Sequence, residues 1–474
     1  MKTKKLYNTL FGRCVFSAIA AAFCLFSMLL LTASCDEFTE VGMPVTELNT
    51  NAVFEQKSTA NAAMTDIYAR IRDNGMLTGK ASGIGREMAL YTDEMTWYGS
   101  SAVSSANFYN NTVLPSTGSV SEWWNQGYSC IYASNAVLEG VSASATLAQA
   151  DKDQLMGEAR FVRGLLHFYL MQLYGRIPYV TGTDYTVNRS LPRLSENEVY
   201  EAIITDLEIA VQLLPADYFT PGRVRPSADV AKAFLAQVHL NHGDWAAASN
   251  YASAVLNKTE VYVWQEDLNA VFLKESTTAI WQFAPRNATR NTDEGTALIF
   301  NSAPPTVAAL SDGLLNAFEP GDLRKENWTR TRTSGATTWR HSYKYKKLGS
   351  ATPQTEYSIV MRLAELYLIR AEARAQQGEL SNAQEDLNKI RNTAGLGNTT
   401  ANSREELLDA ILRERRVELF TERAHRFMDL KRAGKLDAYL SDTKPSWNTT
   451  DRLLPLPESE LQLNQQLLPQ NPGY

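Results

Sequence analysis

Two stretches of this chain share one construction, and that repeat limits the possible folds more than any other feature. Residues 226–257 read as two helices parted by Gly243-Asp244, and residues 358–391 as two helices parted by Gly378-Glu379. With the glycines superimposed, Ala236 falls on Ala371, seven positions before, and Ala248 falls on Ala383, five positions after. Small residues at those points let two helix backbones approach closely. Two further pairs follow from periodicity. Residues 149–174 place Leu155, Ala159, Val162, Leu166 and Tyr169 at three-to-four spacing and stop at Gly175 and Pro178. Residues 196–214, closed by Pro215, are their partner, and residues 52–73 pair with 122–140. A stack of about four such pairs shares one continuous core. A chain of 474 residues is therefore expected to form one repeat domain, not the roughly three average domains that length alone suggests.

The expected fold is mostly α: a tetratricopeptide-like scaffold over 51–257 and 358–393, with loop-rich insertions and a C-terminal region over 403–474. The insertions, 75–121 and 258–357, lack a helical period and contain only short strand-like pieces at 279–284 and 342–346. Insertions in repeat proteins gather on one face and often carry the binding.

The N-terminus reads as an address. Lys2, Lys4, Lys5 and Arg13 precede an uncharged run over 14–34, the layout of a secretory signal. The run is long enough to span a bilayer, so a retained anchor is one reading and ordinary cleavage another. Ala33 and Ser34 before Cys35 resemble a bacterial lipobox, with Thr32 where the usual Leu stands. On that reading 1–34 is a lipoprotein signal peptide, Cys35 is the lipidation site that takes palmitate-type chains, and 35–50 is a tether. Fully extended, about 15 residues reach roughly 50 Å. Lipid on one cysteine holds a protein to a membrane without a spanning helix.

Removing the basic leader takes the formal charge from −6 to −10. That balance argues against nucleic acid and suits a neutral ligand better than a polyanion. It also strips Cys14 and Cys24, and lipidation would consume Cys35, leaving Cys130 alone and no disulfide in the body. His239 and His242 are three apart on a helix, but no HExxH motif or carboxylate ligand at useful spacing accompanies them, so no metal site is expected. GxSxG, GxxxxGK and GxGxxG motifs are absent.

Longer motifs carry a resemblance. They are CDEFTE at Cys35, EARFVRGLLHFYLMQLYGRIPYV over Glu158–Val180, and MRLAELYLIRAEARAQQGE over Met361–Glu379. Two more are LRERRVELFTERAHRFMDLKRAGKL over Leu412–Leu436 and the terminal LLPLPESELQLNQQLLPQNPGY. Together they resemble the SusD/RagB family of outer-surface nutrient-binding lipoproteins along nearly the whole mature chain. The resemblance implies a non-enzymatic oligosaccharide-binding lipoprotein on the outer face of the outer membrane. It would act as the lid of a partner SusC-like TonB-dependent transporter. A peptide-binding version is the alternative, and a surface glycoside hydrolase a more distant one. No cofactor is implied, though a structural Ca²⁺ under a loop is compatible with the sequence.

Sugar rings offer apolar faces to aromatic side chains and rims of hydroxyls to polar ones. Trp97 and Tyr98 are adjacent aromatics before a Gly-Ser loop, in the region where the family's starch-binding member carries ligand aromatics. Trp328 and Trp339 flank the basic run TRTRTSGATTWR as a possible second wall, with Arg86 and Asn107 as hydroxyl partners. Core packing is the competing reading for each. Trp123, Trp124, Trp245 and Trp281 read as structural, because they fall in periodic patterns. Arg416, Glu418, Glu422, Arg426 and Asp429 read as ion pairs along and between helices.

Overall fold

A computed structural model describes residues 53–474, which form one unit. The expected signal peptide, Cys35 and the tether lie outside the described residues. The first helix, α1 (Lys57–Asp73), buries Ala60, Met64, Ile67 and Ile71 along a single stripe. The first insertion then interrupts the repeat. Its sequence shows no helical period, yet it contains α2 (Ile84–Tyr91) and α3 (Ser104–Asn110) on either side of strand β1 (Met95–Trp97). Both helices are short, seven or eight residues, below the length at which a period stands out in sequence.

The scaffold resumes with α4 (Gly118–Ala143), α5 (Gln149–Tyr174) and α6 (Glu196–Leu213). Helix α5 packs on both α4 and α6. From Leu155 onward nearly every α5 residue is buried, as expected of a helix enclosed on all sides. Its polar members are paired: Glu158 accepts from Arg225 and Tyr68, and Arg163 binds Asp206. The Ser195 side chain opens α6 with a reciprocal capping box to Glu198.

The next pair is α7 (Ala228–His242) and α8 (Trp245–Leu256), turning at Gly243 with φ +93°. The second insertion supplies β2 (Ala279–Phe283), α9 (Asp293–Leu298), β3 (Ala308–Leu310), the hairpin β4 (Thr329–Ser334) and β5 (Thr337–Ser342), and β6 (Ser358–Arg362). Residues 358–362 are thus a strand, not the start of a helix, because they pair antiparallel with β2. The strand expected at 342–346 ends at Ser342.

The last repeat pair is α10 (Leu363–Gln376) and α11 (Leu380–Thr393), turning at Gly378 with φ +81°. Helix α8 packs directly on α10, so the insertion loops out while the repeats stack. Ala236, Ala248, Ala371 and Ala383 are all fully buried, as the superposition of the two turns requires.

Helices α12 (Arg404–Glu418) and α13 (His425–Arg432) follow. Their charges bind outward to other elements more than along the helix. Arg416 and Arg426 both hold Asp93, while Glu418 takes Arg324 and Arg362. Glu422 takes Lys344 and Arg362, and Asp429 takes Arg415. These buried pairs clamp both insertions to the C-terminal region. Burial of so much charge is tolerated only where opposite charges pair in this way.

Candidate functional site

Strand β1 runs antiparallel to β3, with Trp97 opposite Ala308, and the Tyr98 N–H donates to the Val307 carbonyl at 2.7 Å. This junction ties the first insertion to the second. It leaves Trp97 half-buried and Tyr98 45% exposed. The Trp97 indole N–H donates to Ser100 O at 3.1 Å, and the ring lies against Gly99, where any Cβ would collide with it. The loop is therefore folded back to hold the ring in place.

The β4–β5 hairpin packs beside β3 and brings Trp339 to the same place. Trp339 is half-buried and stands opposite Arg332 in the hairpin register. Its indole N–H lies against the Tyr98 hydroxyl. Partial burial pushes the Tyr98 phenol up, and the indole N–H opposes that shift. Two of the expected ligand aromatics, Tyr98 and Trp339, thus meet from two distant segments, with Trp97 next to Tyr98 in the chain.

Trp328 requires a correction. It is 1% exposed, its indole N–H donates to Leu268 O at 2.9 Å, and Phe272 packs edge-on to it. It sits at the base of the hairpin, where its ring covers the buried Lys344 ammonium. In this structure it is a core residue, not a ligand wall. Arg86 also differs from expectation. It is 8% exposed, donates to Ser105 Oγ at 2.7 Å and Glu87 at 3.2 Å, and stacks behind the Trp97 ring. It supports the aromatic from beneath, and its Nε, buried without a partner among the described residues, remains free at the cleft that Arg86 lines. Asn107 is half-buried on α3 and is not among the residues lining the adjoining clefts.

Next to the aromatic surface lies a cleft of about 400 Å³, within the usual range of roughly 300–1,000 Å³ for small-ligand sites. Arg86, Phe300, Asn301, Ser302 and Val307 line it. Val307 is exposed and shares its backbone bond with Tyr98, so cleft and aromatics are continuous. Phe300 and Asn301 were missed in sequence because the run ALIFN reads as core. Phe300 packs edge-on against His341 instead, with the rings 4.6 Å apart. A second, more polar cleft of about 350 Å³ shares Lys80 and Asp293 with the first.

The adjacent carboxylates Asp93 and Glu94 lie beneath β1. Asp93 is held below the usual range by Arg426 and Arg416 against the opposing effect of burial, whereas burial and the Asp93 charge push Glu94 up to about 7. Such a split resembles an acid–base pair. Both are buried, however, and neither lines either cleft. Asp93 is clamped by two guanidinium groups, and Glu94 accepts the Thr421 N–H at 3.2 Å. The pair is placed to hold the fold, not to meet a substrate. His239 contacts Asp244 at 3.2 Å and stacks on Tyr251. Among the described residues no group of three or more His, Cys, Asp or Glu is arranged to hold a metal.

The helical-repeat scaffold thus presents exposed and half-exposed aromatics beside an open cleft. The family model described as "Starch-binding associating with outer membrane" matches residues 47–240, and the SusD family model matches residues 317–474. The chain belongs to the SusD/RagB family. It is 28% identical over 434 residues to SusD-like protein P2 of Formosa agariphila, covering 77% of this chain and 83% of that one. A solved laminarin-binding SusD-like protein is 24% identical with a TM-score of 0.75, covering 89% of this chain and 100% of the neighbour. The surface glycan-binding protein A of Bacteroides thetaiotaomicron is 18% identical with a TM-score of 0.73, at the same coverage. These two structures share the fold.

Proposed function

We propose that the protein is a lipid-anchored, outer-surface oligosaccharide-binding protein. It captures glycan on Trp97, Tyr98 and Trp339 and in the adjoining cleft, then delivers it to a SusC-like TonB-dependent transporter as its lid. The observation that carries this reading is the meeting of Tyr98 and Trp339, exposed or half-exposed aromatics from separate insertions, beside a cleft that the backbone partner of Tyr98, Val307, lines. Large aromatics left at a surface over polar groups suit the apolar faces and hydroxyl rims of sugars. Family membership adds support, as do the ligand names of two fold neighbours. Among the described residues no helix is long and apolar enough to cross a membrane. Membrane attachment on this reading rests on Cys35.

The test is a screen of residues 36–474 against oligosaccharide and peptide panels, with product analysis. Binding to an oligosaccharide without turnover is expected. Trp97→Ala should weaken it by about tenfold or more, the loss of one stacked aromatic anchor. Unchanged affinity removes Trp97 from the site. Binding only to peptides, or release of shorter sugars, overturns the proposal.

A further inference from the structure

The second cleft has a charge inventory that the aromatic site does not explain. It lies between the end of α1 and the segment following β2, and is lined by Arg72, Lys80, Arg286 and Arg290 against Asp73, Asp293 and Glu294. Asp73 and Asp293 each have a local cation, while Glu294 is bonded through one oxygen only. Asp73 takes a two-pronged contact from Arg72, at 2.8 and 2.7 Å. Asp293 faces Arg290 at 3.6 Å. Glu294 is bonded to Ser358, and burial pushes its carboxyl up. Two cations, Lys80 and Arg286, help to hold the Asp73 carboxyl down but are bound to no carboxylate among the described residues. Lys80 donates only to the Asp73 carbonyl, at 2.6 Å, and Arg286 is exposed, with no hydrogen bond or ion pair among the described residues.

We propose that this second cleft is an anion subsite, in which Lys80 and Arg286 hold the carboxylate or sulfate of an acidic sugar. The proposal rests on the glycan-binding reading and extends it to a class of ligand. Guanidinium and ammonium donors form strong charge-assisted bonds to such groups. Because Lys80 also lines the aromatic cleft, one oligosaccharide can lie across both, with a neutral ring near Trp97 and an acidic ring at Arg286. The cleft, at about 350 Å³, is within the usual range for a small ligand, roughly 300–1,000 Å³. The body as a whole is acidic, at −10 once the basic leader is removed, and its field opposes polyanions. The fit is therefore to a sugar with an isolated acidic group.

The test is titration of the protein with D-glucuronate, its methyl ester, D-glucose and glucose 6-sulfate, read by ligand-observed NMR. Glucuronate or the sulfate should bind more tightly than the ester and glucose, with the stronger of the two identifying the preferred anion. Lys80→Ala and Arg286→Ala should each weaken the preferred anion by about fivefold to tenfold, and Arg286→Ala, which lies outside the aromatic cleft, should leave glucose unaffected. Added NaCl should weaken the anion alone. Equal binding of acid, ester and glucose overturns the proposal, as does an anion preference that survives both substitutions. Trp97→Ala separates the two readings. If it spares neutral oligosaccharide binding while the anion preference still depends on Lys80 and Arg286, the aromatic reading fails and the subsite stands.

Discussion

At the scale of single residues, the same residue type has opposite fates within a few positions. Trp328 and Trp339 flank one polar run, yet Trp328 is core and Trp339 reaches the surface. Trp328 precedes β4 and packs inward on Phe272, whereas Trp339 lies within the hairpin's projecting part. The run shows two aromatics, but where the hairpin leaves the core is a tertiary fact. Glu94 gives a test at this scale. Its carboxyl is raised from an ordinary value near 4.5 to about 7, with burial as the largest cause and Asp93 as the next. Between those values the folded state keeps a proton that the unfolded state has lost. Stability from this group is thus full below about pH 4.5 and declines as pH rises through about 7. The scale is roughly 3 kcal/mol at about 1.4 kcal/mol per unit. Glu94→Gln keeps an acceptor for Thr421 and removes the titration. It should raise the melting temperature at about pH 8 and have much less effect at about pH 4.5. An equal shift at both pH values would show that Glu94 does not titrate across this window.

At the scale of elements, the repeat turns hold the helix pairs in register. Gly378 has φ +81° and no heavy atom within 4 Å of where a Cβ would sit, so its requirement is conformational and not steric. Gly378→Ala should cost about 1–2 kcal/mol and lower the melting temperature by about 1–2 °C in a unit of this size. Gly397 also has open space but no positive φ, so Gly397→Ala should change little. Comparable melting temperatures for the two variants would place the demand elsewhere. The α7–α8 and α10–α11 pairs were legible because a glycine, an acidic neighbour and two buried alanines recur at fixed spacing. Helices α2 and α3 were not, since neither is long enough to display a full amphipathic pattern.

At the scale of the whole molecule, two insertions are joined by strands β1 and β3, which lie more than 200 positions apart in the chain, and Asp93 ties the first insertion to Arg416 and Arg426. That joint creates the candidate site. If Cys35 carries the lipid, Cys35→Ser should move the protein from the membrane to the soluble fraction and abolish palmitate labelling. Membrane retention of the variant would point to a different anchor. The repeat, the paired C-terminal charges and the pair Trp97-Tyr98 were all readable in the chain, because helical periodicity and local spacing are set by neighbours in sequence. Tertiary structure decided the partnership of Tyr98 with Trp339, the burial of Trp328 and Arg86, and the lining role of Phe300. It also decided that Lys80 and Arg286 make no direct contact with a carboxylate among the described residues. Each depends on which distant segments meet. Strand pairing and charge compensation between insertions set those meetings, and neither leaves a periodic mark in either segment alone.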